Sequence, residues 1–149
     1  MSAIIIKEKE AEIVEAFSWF ETWEEKYEYI IELGKKLAPL EDKFKVEENT
    51  IKGCQSTVWL VADFKEGKVF YQASSEAIIV KGLVSMLISV LTGQTPDQIL
   101  AAKLDFINEI GMMSHLAQTR SNGLVAMIKQ IKNYALAYKS ISETEKTAL

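Results

Sequence analysis

A chain of 149 residues with one cysteine, Cys54, and one histidine, His115, offers few starting points for chemistry. Cys54 stands in "IKGCQSTVWL" (51–60), between a glycine and a run of β-branched and aromatic residues. An isolated cysteine is most often a small buried hydrophobe. Three neighbours argue for a reactive one instead. Cys54 lies just before a strand-like segment, on the kind of connection that carries function on rigid scaffolds. Gly53 lacks a Cβ, so a partner's reactive atom can come close and the backbone can swing. Gln55 and Ser56 are polar and can hydrogen-bond a thiolate or a persulfide. Lys52, the cation nearest in sequence, alternates away from the thiol and offers little activation, and a free thiol is only a few per cent ionised near neutral pH.

A hydrolytic dyad is one alternative, with His115 as the base for Cys54 and Asn122 or Asp105 orienting the imidazole. His115 sits in "GMMSHLAQTRSNG" (111–123) among apolar residues, where a packed, hydrogen-bonded histidine is the commoner outcome. Such pairing is decided by geometry. Metal binding fares worse: one cysteine and one histidine leave only carboxylates to complete a site, and no spaced cluster gathers them. An iron–sulfur cluster needs several thiolates, so the chain cannot hold one unaided. Glycine-rich phosphate loops and dinucleotide fingerprints are absent. One cysteine also excludes an internal disulfide and, with no secretory signal, fits a reducing cytoplasm. Net charge is −4, with residues 1–50 carrying 7 Lys against 13 Asp/Glu. The rest is slightly basic but has no basic stripe, which argues against nucleic acid as a partner. The acidic half reads as a solvated helical face.

The elements that must position these residues follow from periodicity and caps. Residues 8–20 read as a helix with Ile13, Phe17 and Phe20 on one face. A second helix opens at Thr22, where Glu25 completes a capping box, and carries Trp23, Tyr27, Ile30, Ile31 and Leu37 as a core stripe before Pro39 ends it. Residues 41–50 read as loop or a short edge strand. "STVWLVADF" (56–64), apolar on both faces through Leu60, reads as a central strand with Trp59 as core filler. Residues 65–68 turn at Gly67, and 69–73 return as the antiparallel partner. Ser75 is the expected N-cap of a helix closed by Gly93, and Ile78–Leu91, interrupted by Lys81, Ser85 and Ser89, is too short to span a membrane. Thr95, Pro96 and Gln98 spell another helix start. A short helix over 104–110 ends at Gly111. A last one over 121–139 presents Leu124, Ile128, Ile131, Ala135 and Tyr138. The polar tail, 140–149, is expected to fray. The order predicts one α+β domain over 1–139, a small antiparallel sheet with helices packed on it.

The segment "GCQSTVWL" resembles the signature of SufE-like sulfur-acceptor proteins, partners of cysteine desulfurases in iron–sulfur cluster assembly. "WEEKYEYIIELGKKL" (23–37), "AIIVKGLVSML" (77–87) and "HLAQTRSNGLVAMI" (115–128) resemble that family's other motifs in order and spacing. Two departures stand out. Gln118 and Thr119 replace the usual proline and serine before Arg120, and only Glu76 is acidic in the turn before the central helix. The resemblance implies a small twisted antiparallel sheet flanked by helices, similar to the cluster scaffold IscU. It implies that Cys54, on an exposed loop supported by Gly53, Gln55, Ser56 and Arg120, takes sulfur from a PLP-dependent cysteine desulfurase of the SufS or CsdA kind, stimulates it, and passes the sulfur to an iron–sulfur scaffold. It further implies no resident cofactor or metal, and a cytoplasmic carrier that is a monomer or weak homodimer rather than a stand-alone enzyme. A cysteine hydrolase using Cys54 and His115, and a non-catalytic adaptor of a desulfurase, stay open as alternatives.

Overall fold

The computed structural model describes the backbone of residues 2–148 and the side chains of residues 5–143. Its elements run α1 (Ser2–Ser18), α2 (Trp23–Lys35), β1 (Val58–Lys65), β2 (Lys68–Ser75), α3 (Ile78–Leu91), α4 (Pro96–Ala101), α5 (Phe106–Glu109), α6 (Met112–His115) and α7 (Gln118–Ala148). This is the α+β architecture expected. Thr22 caps α2 with the full Glu25 box, and Thr95 caps α4 with the full Gln98 box and Pro96 in its first turn. Both codes are local, since the cap side chain answers backbone donors that the helix itself leaves unpaired.

Several bounds differ from expectation. Helix α1 begins at Ser2 rather than residue 8, so the "III" segment is helical and buries Ile6. Within α2 the buried stripe runs through Ile30 and Gly34, and Ile31 stays outside the core. Residues 41–50 form two single turns of 3-10 helix. Helix α7 starts before Ser121 and continues past Lys139. The part of the expected tail beyond residue 143 lies outside the described side chains. Among the described residues no helix is long and apolar enough to cross a membrane.

β1 and β2 pair antiparallel from Val58↔Ser75 to Lys65↔Lys68, joined by a two-residue turn. Glu66 and Gly67 both have positive φ, 51° and 79°, the pattern of the tight turn whose twist matches the strands. The sheet has only these two strands among the described residues, so β1 is not central. One face is buried: Val58, Leu60, Val69, Tyr71 and Ala73 point inward onto α3 and α7. Trp59 points to the other face, half-buried, with the Lys45 ammonium 5.8 Å from its ring centroid. Its apolar character therefore serves a covering loop and not the core.

Several backbone groups on both open edges of the hairpin are paired by other groups. On β1, Ile51 N–H donates to Val58 O at 2.9 Å, and the hydroxyls of Tyr134 and Tyr138 donate to Leu60 O and Ala62 O at 3.2 and 3.0 Å. On β2, Val69 N–H donates to Gln94 O and Tyr71 N–H to Thr92 Oγ1, each at 2.9 Å. Edge groups paired in this way cannot recruit a foreign strand. Ser75 belongs to β2 and does not cap α3; the N-cap is Ala77, whose N–H donates to Ser75 Oγ at 3.2 Å.

Helix α3 is the central pillar, with ten buried residues from Val80 to Leu91. It crosses α2 at Gly34 and Gly82. A Cβ on Gly82 would strike the Ile30 carbonyl, and one on Gly34 would lie 2.8 Å from Gly82 N. Side chains therefore have no place at this crossing, and the backbones touch. Ser85 Oγ adds a hydrogen bond to Leu33 O at 3.0 Å.

Candidate functional site

The loop holding Cys54 leaves the sheet at a pinned neck. Ile51 and Val58, both buried, are joined by the bond from Ile51 N–H to Val58 O, and Thr57 O accepts from Ser75 Oγ at 2.7 Å. Between these ties, residues 52–57 form turns and bends whose side chains are exposed or half-buried. Gly53 has φ 93°, where an L side chain is strained, and a Cβ there would meet Ala126 Cβ of α7 at 3.3 Å. Only glycine combines that conformation with so close an approach. Lys52 turns away, its ammonium bound to Glu47 and Thr50. That pairing pulls the exposed Glu47 carboxyl below its usual range and leaves the thiol without a cation from this neighbour.

Cys54 is half-buried, and its thiol donates to Gly123 O of α7 at 3.6 Å, a weak bond of sulfur type. It opens on a cavity of about 280 Å³ walled by Gln55 and Ser56 of its own loop, Leu83 of α3, and Arg120, Gly123 and Met127 of α7. Burial pushes the Cys54 thiol up, so its resting form is protonated. A nucleophile needs the thiolate, so reaction from this seat requires a change of surroundings.

Of the residues expected at the site, Gln55, Ser56 and Arg120 share the cavity with Cys54, while Gly53 shapes the loop behind it. Arg120 is exposed and, among the described residues, has no ion pair, so a surface salt bridge does not account for it. His115 is not brought to Cys54. Its ring stacks on Trp23 at 4.0 Å, its Nδ1 lies 3.1 Å from Gly111 O, and its carbonyl accepts from Tyr27 OH at 2.7 Å. The orienting groups considered for it are also elsewhere, since Asn122 accepts from Gln118 Nε2 at 3.0 Å and Asp105 stands before α5. Nothing in the motifs singles out Leu83, Gly123 or Met127 as site residues. The one signal for Gly123 is a glycine inside a helical pattern. Among the described residues no group of three or more His, Cys, Asp or Glu could hold a metal.

Comparison with known proteins places the chain in a family. The family model for SufE, described as an Fe-S metabolism associated domain, matches residues 11–135. An uncharacterised SufE-like protein of Synechocystis sp. is 39% identical over 129 residues, covering 87% of this chain and 81% of its own. Another uncharacterised SufE-like protein, of Rhizobium meliloti, is 36% identical over 129 residues, covering 83% and 92%. The solution structure of a hypothetical protein from Thermus thermophilus superposes with a TM-score of 0.73 at 22% identity, over 89% of this chain and 96% of that one, which bears on the fold alone. With the motif around Cys54, the α3 and α7 segments that wall its cavity and the family match all lying on one domain, the chain belongs to the SufE family, associated with iron–sulfur metabolism.

Proposed function

We propose that this protein is a sulfur carrier: Cys54 takes a sulfur atom from the persulfide of a PLP-dependent cysteine desulfurase, stimulates that enzyme by unloading it, and delivers the sulfur to an iron–sulfur scaffold. The Cys54 thiolate attacks the outer sulfur of the partner's cysteine persulfide. A new S–S bond forms on Cys54, the partner's S–S bond breaks, and the partner's cysteine leaves as a thiolate. No oxidant is consumed, because the exchange moves a sulfur already at the persulfide level.

One observation carries the reading. The sole thiol of the chain is seated in a cavity by a weak bond to Gly123 O, on a loop whose backbone is tied at its neck. At rest the seat keeps the thiol protonated and shielded, which protects a sulfur that would otherwise oxidise. A docking enzyme that shifts residues 52–57 would break the thiol's bond to Gly123 O and open the cavity to the partner's persulfide while Cys54 still faces α7, with Gly53 absorbing the backbone change. Gln55 and Ser56 would then supply hydrogen bonds to the loaded sulfur, and exposed Arg120 would anchor the partner. A hydrolase reading gains nothing from this geometry, which gives Cys54 no base.

The test is mass spectrometry of the protein after incubation with a cysteine desulfurase and cysteine. The wild type should gain the mass of one sulfur at Cys54 and raise desulfurase turnover. Cys54→Ser should keep the fold, gain no mass and give no stimulation. Full stimulation by Cys54→Ser would instead identify an adaptor.

A further inference from the structure

Three glycines lie inside long helices, and they differ in what their missing side chains would meet. Gly34 and Gly82 are demanded by packing, because a Cβ on either would collide with backbone of the facing helix. Gly123, in the second turn of α7, meets no such obstacle: the one heavy atom within reach of its Cβ position is Cys54 Sγ, at 3.6 Å, an ordinary contact distance. Glycine is a poor residue for a helix interior compared with alanine. Packing of the resting protein therefore gives no reason for glycine at 123, and what faces the vacant position is the sulfur.

The loaded sulfur supplies the reason. In the resting thiol the hydrogen on Sγ points to Gly123 O at 3.6 Å. A transferred sulfur replaces that hydrogen at an S–S length of about 2.05 Å. On the same line it would stand about 1.5 Å from the carbonyl oxygen, far inside contact distance. Loading must therefore break the bond to Gly123 and turn the side chain. Cys54 and Gly123 line the same cavity, and the vacant Cβ position lies 3.6 Å from Sγ, so the space without a methyl is within reach of an outer sulfur turned away from the carbonyl.

We propose that Gly123 is a positioning residue for sulfur uptake: the absence of a side chain there holds open the place where the outer sulfur of the Cys54 persulfide sits. This rests on the sulfur-carrier reading above. A methyl at 123 is compatible with the thiol but not with a sulfur turned towards it, so it should obstruct the loaded state while sparing the resting fold.

The experiment compares wild type and Gly123→Ala in single-turnover transfer from a persulfide-loaded cysteine desulfurase, over a range of carrier concentrations, alongside thermal unfolding. Gly123→Ala should melt about 2–4 °C higher, as expected for alanine in an unobstructed helix interior. Its transfer rate at saturation should fall at least tenfold, with the half-saturating concentration unchanged, because docking is untouched. A variant that loads within twofold of wild type overturns the proposal. So does a raised half-saturating concentration at full saturated rate, which would make Gly123 a docking contact. A lowered melting temperature would show a packing defect and would also overturn it. Failure of the wild type itself to accept sulfur would refute the carrier reading instead, so the two failures are distinct.

Discussion

Cys54 is held by opposing requirements: shielding at rest and ionisation for attack. Burial raises its pKa, so alkylation of the resting protein by iodoacetamide should rise with pH around a midpoint above that of the same cysteine in the urea-unfolded chain. A midpoint at or below the unfolded value would mean that the thiol is not desolvated. The same shift has a thermodynamic sign. A raised folded-state pKa contributes stability that is complete below the unfolded pKa and is lost as pH climbs through the folded one. Between neutral and alkaline pH the wild type should therefore lose more stability than Cys54→Ser, as read by urea unfolding at each pH. Arg120 is exposed and unpaired among the described residues. Arg120→Ala should thus change stability by no more than about 0.5 kcal/mol, while raising the carrier concentration that half-saturates desulfurase stimulation.

Among the helices and strands, the clearest dependence is the α2–α3 crossing. Gly82→Ala would drive a methyl into the Ile30 backbone, which cannot yield without separating the helices. Overpacking of this kind should cost about 3 kcal/mol, measured as a drop in the urea midpoint at unchanged slope. The hairpin depends on α7 in another way. Tyr134→Phe removes the hydroxyl that closes Leu60 O on the open edge of β1 and should cost about 1 kcal/mol. Caps are readable in the residues because Thr22 with Glu25, and Thr95 with Gln98, act within three positions of one another. Ser75 is not, because the same serine also fits the end of a strand, and pairing with Val58 claims it.

The core runs without a break from Ile6 and Phe17 of α1 through the sheet and α3 to Leu124 and Ile131 of α7. A core shared in this way should unfold as one unit, with coincident far- and near-UV circular dichroism transitions. Two separated transitions would contradict it. Ile6 lies outside the segment 11–135 matched by the family, yet it is buried with the rest. Ile6→Ala should therefore destabilise by about 2 kcal/mol, the low end for such truncations because the residue borders an open cleft.

The chain's own residues were enough to define the α+β order, two complete capping boxes, the hairpin and its Gly67 turn, and Cys54 as the reactive candidate. These follow from contacts three or four residues apart, or from a period of two, whose geometry each element carries with it. Packing alone decided that the hairpin buries one face, leaving Trp59 outside the core, and that His115 stacks on Trp23 instead of serving a nucleophile. It also decided that the thiol rests against Gly123. That contact joins residues 69 positions apart. Its distance is set by how α3 and α7 lie on the sheet, a sum over many buried side chains in which neither Cys54 nor Gly123 has a deciding share.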